Sequence, residues 1–292
     1  MIDLHCHTKA SDGSLTPTQL VELAVESDIH ALGIADHDTL GGVAEAVEVG
    51  EKHSLCVIPG IELSVNSPWG SLHLLGYFSK PDPRNVGARV AEIQSFRQHR
   101  NPKIVEKLQA LGIPITLDDV TQAAGGEVVG RPHFARVLLK MGAVHSTQEA
   151  FNRYLKKGAP AYVDRDRLDI EEAIGLILAD QGIPVLAHPG LIPVPQDSDW
   201  EGVIRTFAAM GGGGVEAYAP VHSRTFTQKM LELAKRYDLL VTGGTDFHGD
   251  AKPHLQIGIG QGDFSVPDEL GKLLLQKLDA IPHGCGTFQR TC

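Results

Sequence analysis

Short apolar, β-branched runs recur along this chain, and most of them carry or end on a histidine, aspartate or glutamate. They read as strands near 2–7, 31–35, 56–62, 71–78, 184–188, 214–218 and 239–243, separated by amphipathic stretches of helical period. That alternation implies an α/β fold with a parallel sheet, because strands and helices then bury each other's apolar faces. One helix start is well marked: Thr16 precedes Pro17 at a first helical position, and Leu20, Leu23 and Ala24 share a face.

The ionisable residues follow a geometry. In Ile2-Asp3-Leu4-His5-Cys6-His7 the period of two sends His5 and His7 to one side of a strand. Thr245-Asp246-Phe247-His248 repeats the spacing with a carboxylate and an imidazole. Asp36-His37-Asp38 follows LGIA, Glu62 ends VIPGIE, His73 sits in SLHLLGY and His188 ends VLAHPG. Ligand-type residues at the C-terminal ends of parallel strands converge on one mouth, which is how barrel-like enzymes assemble a site. A purely structural role would require each buried histidine to be satisfied separately by hydrogen bonds.

Between the fourth and fifth runs about a hundred residues break the alternation. Val86, Val90, Ile93 and Phe96 mark one helical stripe, and PITLDDVTQAAG, RPHFARVLLKMG and STQEAFNRYLKKG read as three short helices closed by glycine. We expect a helical insertion at 86–165 in a core domain formed by 1–85 and 166–292. GGGG at 211–214 lacks the Lys-Ser/Thr ending of a phosphate loop and reads as a turn before a strand.

The formal net charge of −10 argues against a basic surface for long duplex nucleic acid, but leaves small anionic substrates open. No apolar stretch has membrane-spanning length, and MIDLHCH does not open as a leader, so a soluble cytoplasmic protein is expected. Cys6, Cys56, Cys285 and Cys292 form no dense framework and are expected to be reduced thiols, the alternative being that Cys285 and Cys292 near the end pair or bind metal.

DLHCHTKASDG, ADHDT, GIEL, AHPG and TDFH, in this order across nearly the whole chain, resemble the successive motifs of the PHP (polymerase and histidinol phosphatase) phosphoesterases. The resemblance implies a distorted (β/α)7 TIM-like barrel with a helical insertion and two or three divalent metal ions. Carried onto matching positions, one ion would take His5, His7, Glu62 and Asp246, a second Glu62, His73 and His188, and a third Asp12, His37 and His248. Such a mixed nitrogen and oxygen donor set suits Mn²⁺ first, with Fe²⁺ or Zn²⁺ as alternatives. The implied chemistry is in-line attack on phosphorus by a metal-bridging hydroxide, with Glu62, Asp246 and His248 as catalytic residues and Asp246 or His248 assisting proton movement.

GRPHFARVL with the later PAYV is similar to one PHP subgroup, which acts on nucleoside 3′,5′-bisphosphates and on short RNA 5′ ends. The expected partner is therefore a small anionic nucleotide or a short RNA end. Arg97, Arg100, Lys103, Arg131 and Arg136 supply cations in the insertion. Arg131 and Lys103 are candidates for holding the uncleaved phosphate, with His133 and His222 as further substrate contacts and Tyr162 or Tyr218 near the base. A surface or capping role is the alternative for Arg131 and His133, and an exposed loop position for His222. Rival readings are a PHP phosphatase acting on histidinol phosphate, an amidohydrolase, which would typically carry a bridging lysine mid-barrel, and a non-catalytic metal-binding regulator.

Overall fold

The computed structural model describes residues 1–124, 129–163, 168–192, 199–262 and 264–280, apart from the side chains of residues 97 and 98. Cys285, Cys292 and the Arg97 side chain lie outside the described residues. Two compact units are present, one formed by residues 1–88 and 168–292 and the other by 89–167.

The first unit is a sheet curled into a distorted barrel. Its strands are β1 (Ile2–Cys6), β2 (Ala31–Ile34), β3 (Cys56–Ser67), β4 (Gly70–Tyr77), β5 (Leu168–Asp169), β6 (Ile183–Leu186), β7 (Gly214–Tyr218) and β8 (Leu240–Gly243), in the spatial order β1-β2-β3-β4-β6-β7-β8 with β5 beside β3. The ring closes just past β8: His7 N donates to Phe247 O at 2.9 Å and Phe247 N to His5 O at 3.3 Å. Asp3 reinforces that seam, its buried carboxylate accepting Thr245 N at 2.9 Å, Thr245 Oγ1 at 2.6 Å and Gly258 N at 2.9 Å.

The sheet departs from the all-parallel expectation at β4, which runs antiparallel to both β3 and β6. Only Pro68 and Trp69 separate β3 from β4, whereas a parallel connection needs about a dozen residues. The reversal places the start of β4, not its end, at the mouth, and His73 pairs in register with Ser64.

In chain order the helices are α1 (Pro17–Glu26), α2 (Val43–His53), α3 (Arg84–Ala110), α4 (Leu117–Ala124), α5 (Arg131–Lys140), α6 (Thr147–Ala150), α7 (Ile170–Ala179), α8 (Trp200–Ala209), α9 (Arg224–Arg236) and α10 (Asp268–Ala280). The start of α1 is the expected one: Thr16 Oγ1 accepts Gln19 N at 3.2 Å while Gln19 Oε1 accepts Thr16 N at 3.0 Å. Leu20, Val21 and Ala24 then pack with Cys6, Leu32 and Ile34 in one buried cluster, and Ile2 and Leu4 join Leu75, Tyr77, Val185 and Leu274 in another. Among the described residues no helix is long and apolar enough to cross a membrane.

The second unit is helical and has its own apolar centre, in which Ile104, Leu108, Val120, Phe134, Leu138 and Leu155 are buried together. Its last helix, α6, runs into one wider turn over Phe151–Leu155. Cys6 is a buried free thiol. Cys56 is disulfide-bonded, which corrects the expectation of reduced thiols at that position.

Candidate metal centre

Glu62 is fully buried, and five imidazoles point at its two oxygens. His5 Nε2 and His7 Nε2 each lie 3.3 Å from Oε2, and His37 Nδ1 lies 2.9 Å from it. His73 Nδ1 at 2.9 Å and His188 Nε2 at 2.8 Å approach Oε1. Asp246 Oδ1 completes one side, 3.2 Å from His7 Nε2 and 3.7 Å from His5 Nε2. On the other side Asp12 Oδ1 lies 3.2 Å from His248 Nε2 and Oδ2 lies 4.0 Å from His37 Nε2.

These atoms resolve into three ligand groups: His5, His7, Glu62 and Asp246; His7, Asp12, His37 and His248; and His37, Glu62 and His73. The structure thus brings together all nine residues singled out from the sequence. It differs in detail, since His7 also joins the Asp12 group, His37 also joins the His73 group, and His188 stands outside that last trio while still meeting Glu62.

The centre fits divalent cations. His5 Nε2, both nitrogens of His7, His37 Nδ1, His73 Nδ1 and Glu62 Oε2 are buried without a hydrogen-bond partner. Each such group costs about 1–3 kcal/mol in a folded interior, so six on one point are a large penalty unless a cation is bound there. Carboxylates and imidazoles without a cysteine sulfur form the donor set of Mn²⁺, Fe²⁺ or Zn²⁺.

Neighbouring groups aim the ligands. His5 Nδ1 donates to Glu216 Oε1 at 2.9 Å, which turns Nε2 towards Glu62, and His188 N donates to Glu216 Oε2 at 2.6 Å. His248 Nδ1 donates to Asp246 O at 2.7 Å, leaving Nε2 for Asp12. Hydrogen bonds of this kind fix the tautomer and raise the basicity of metal-ligating imidazoles. Asp36 accepts Thr8 N and Thr8 Oγ1, both at 2.7 Å, and Ser11 Oγ at 2.6 Å, pinning the loop that carries Asp12. Asp38 Oδ1 accepts Ser64 N at 2.8 Å. Both aspartates beside His37 therefore brace the site rather than join a ligand group.

Backbone strain concentrates here as well. Asp38, His188 and Asp246 have φ of 49°, 23° and 55°, left-handed values that cost about 1–3 kcal/mol each for such residues. The bonds to Ser64, Glu216 and His248 hold these turns in place.

Burial opposes a charge on Asp246, but the His7 and His5 rings close to it hold its carboxyl well below the usual range. Burial, joined by the repulsion of His7, lowers His248 despite Asp12. Burial also resists a charge on His5, yet Glu216 and Glu62 together hold that ring well above its ordinary value.

Sequence reasoning missed Glu216 and Lys252. A glutamate inside the buried run Gly214-Val215-Glu216-Ala217-Tyr218 was the available signal, because a charge there is costly unless paired. Lys252 Nζ lies 2.5 Å from Asp246 Oδ2, making it the only lysine or arginine paired to a candidate ligand among the described residues; nothing in the sequence marks that contact. Changing Glu216 to glutamine should weaken metal binding and lower kcat/KM by about 10–100-fold, read by metal titration and steady-state kinetics. Losses below about threefold in both would remove Glu216 from this orienting role.

The expected substrate contacts divide. His222 Nδ1 donates to Ala217 O at 2.9 Å and Nε2 accepts Gly190 N at 3.0 Å. Both nitrogens are bonded to backbone, so in this structure His222 clamps the turn after His188. Arg131, Lys103 and His133 belong to the second unit. His133 is buried and its Nδ1 accepts Gly130 N at 3.0 Å, the capping alternative. Arg131 donates to Leu155 O at 3.0 Å and lies 5.4 Å from the centroid of the Tyr162 ring, while Lys103 is exposed.

The chain is similar to known proteins over most of its length. The PHP domain family model matches residues 3–125. The chain is 36% identical to a 5′-3′ exoribonuclease of Haemophilus influenzae over 84% of its own length and 89% of that protein. It is 33% identical to a 3′,5′-nucleoside bisphosphate phosphatase of Chromobacterium violaceum, over 88% of this chain and 90% of that one. A crystal structure from Bifidobacterium adolescentis, assigned to the metal-dependent phosphoesterases, superposes with a TM-score of 0.79 at 30% identity, covering 94% of this chain and 95% of that one. With its barrel, its buried ligand cluster and this likeness over most of its length, the chain belongs to the PHP family of metal-dependent phosphoesterases.

Proposed function

We propose that this protein removes the 3′-phosphate of nucleoside 3′,5′-bisphosphates, giving a 5′-nucleotide and inorganic phosphate. The observation that carries the reading is the set of orphaned nitrogens around the sealed Glu62 carboxylate, taken with the bisphosphate phosphatase of C. violaceum at 33% identity. His5, His7, Glu62 and Asp246 would hold one ion, Glu62, His73 and His188 a second, and Asp12, His37 and His248 a third, with Mn²⁺ the first choice. Divalent ions in such a centre supply Lewis acidity towards phosphoryl oxygens and make water nucleophilic near neutral pH.

The chain's own residues do the rest. The bond from phosphorus to the 3′ oxygen breaks, one to a water oxygen forms, and the departing oxygen takes a proton. Asp246 or His248, both at the ligand cluster, is the residue we assign to moving that proton. Glu62 is sealed from solvent and keeps the two ligand sides in fixed register. Arg131 and Lys103 are assigned to the phosphate that is not cleaved, arginine being suited to two parallel hydrogen bonds with it.

The 36% identity to the H. influenzae exoribonuclease favours a second reading, in which the same centre trims short RNA from its 5′ end. Phosphate or nucleotide release in the presence of Mn²⁺ should be compared for adenosine 3′,5′-bisphosphate, AMP, histidinol phosphate and a short 5′-phosphorylated RNA. We expect the bisphosphate to be preferred and Arg131→Ala to lower its kcat/KM by about 10–100-fold, the value of a lost charge-assisted contact. Faster turnover of the RNA would transfer the assignment to the exonuclease reading. No turnover of any ester by metal-loaded protein would count against catalysis.

A further inference from the structure

Beside the metal centre the wall of the barrel mouth is apolar. His73 and His188 line a cavity of about 110 Å³ together with Leu72, Leu191, Ile192 and Ser71. That is well below the ~300–1,000 Å³ of pockets that enclose whole small molecules, so it suits one flat portion of a larger ligand. Leu72 and Ile192 are nearly buried, whereas Leu191 is 56% exposed.

The turn that carries this wall is locked. Leu191 N donates to His188 O and Ile192 N to Pro189 O, both at 2.9 Å. The His222 clamp fixes the turn to β7 through Gly190, where a Cβ would come within 2.6 Å of the His222 ring. His222 in turn packs on Phe226, with ring centroids 4.8 Å apart. Next to His222, Val221 is 55% exposed. Two large apolar side chains thus stand in water on loops joined by one hydrogen bond. Isolated exposed leucines and valines are ordinary; Leu191 on a braced turn that shares a cavity with two candidate metal ligands, tied through the Gly190–His222 bond to the loop that carries Val221, is not.

We propose that Leu191, with Ile192, Leu72 and the adjoining Val221, forms a shelf for the nucleoside portion next to the cleaved phosphate, contacting the face of the base and the sugar carbons. The inference rests on the bisphosphatase reading above. A phosphate ester reacting at His73 and His188 must set its organic part somewhere along the mouth, and this wall offers apolar surface with little to bond a charged group. Apolar contact with a ring face does not read the hydrogen-bonding edges, so the shelf should accept every base.

The test compares kcat/KM for the 3′,5′-bisphosphates of adenosine, guanosine, cytidine and uridine with that for glycerol phosphate, in wild type, Leu191→Ser and Val221→Ser. Both substitutions replace exposed side chains, so folding should survive them. We expect the four nucleotides to agree within about threefold in wild type. The ratio of nucleotide to glycerol phosphate turnover should fall about tenfold in Leu191→Ser and less in Val221→Ser. An unchanged ratio in both variants, or a wild-type preference above about tenfold for one base, would overturn the shelf and leave the bisphosphatase reading standing. Hydrolysis of glycerol phosphate with none of any nucleotide would overturn both.

Discussion

Replacing Glu62 with glutamine is expected to empty the centre and to lower phosphoesterase activity by at least about 10³-fold, since metal ions contribute several kcal/mol to such reactions and each 1.4 kcal/mol is tenfold. The size follows from position. Glu62 is fully buried, and its two oxygens are met by His5, His7 and His37 on one side and by His73 and His188 on the other. An amide keeps the shape but loses the charge and turns donor hydrogens towards whatever lies on one side. The measurements are metal content after equilibration with Mn²⁺, kcat/KM on the best phosphate ester, and a thermal unfolding curve to show that the variant is folded. A folded Glu62→Gln protein that keeps its metals and a tenth of its activity would remove Glu62 from the bridging role.

Why the carboxylate can be placed so deep is a matter of local sequence. In Pro59-Gly60-Ile61-Glu62-Leu63 the apolar neighbours Ile61 and Leu63 are fully buried and carry the strand through the core. At Gly60 a Cβ would come within 2.7 Å of Ile34 O, so only glycine allows the two strands this approach.

Much of this centre was legible in the sequence because a strand's period of two reports direction. His5 and His7, and Asp246 and His248, could be paired without any structure, and the apolar runs placed Glu62, His73 and His188 at strand positions. The direction of β4 was misread, although the stretch of 63–70 between the two runs was already shorter than the dozen or so residues of a parallel crossover. The roles of Glu216, Asp36 and Asp38 were hidden for another reason. Their partners are a ring nitrogen, a loop and a backbone amide more than twenty residues away, and spacing along the chain carries no record of such contacts. His222 shows the converse: its place at a strand end was readable, but its two backbone partners are visible only after folding.

Metal binding should depend steeply on pH, in a direction the structure fixes. In the metal-free protein burial resists a charge on His37, but Glu62, helped by Asp12 and Asp38, outweighs it and raises the ring from an ordinary 6.5 to about 10. Burial likewise opposes a charge on His188, and Glu62 again raises the ring, as Glu216 and Glu62 do for His5. Near neutral pH the His37, His5 and His188 rings of the metal-free centre therefore carry protons, which they must lose before they can ligate an ion. Apparent affinity for Mn²⁺ should rise by about tenfold per pH unit for each proton displaced, a rise that His37 sustains up to about pH 10 and that His5 and His188 steepen wherever they also give up protons.

Stability of the metal-free protein should move the opposite way. The contribution of His37, whose value is raised on folding, is complete below 6.5 and is lost as pH rises through about 10. That of Glu62, whose value is lowered as His73, His37 and His5 overcome its burial, is present above 4.5 and is lost as pH falls below it. Chelator-treated protein should accordingly gain most from this cluster between pH 4.5 and 6.5, and the rise in Tm on adding Mn²⁺ should widen as pH increases above that window. Competition titrations at several pH values, with unfolding curves for both forms, measure the two trends together. An affinity that stays flat across this range would mean that the imidazoles are already neutral in the empty site, and that Glu62 is balanced by something other than the rings around it.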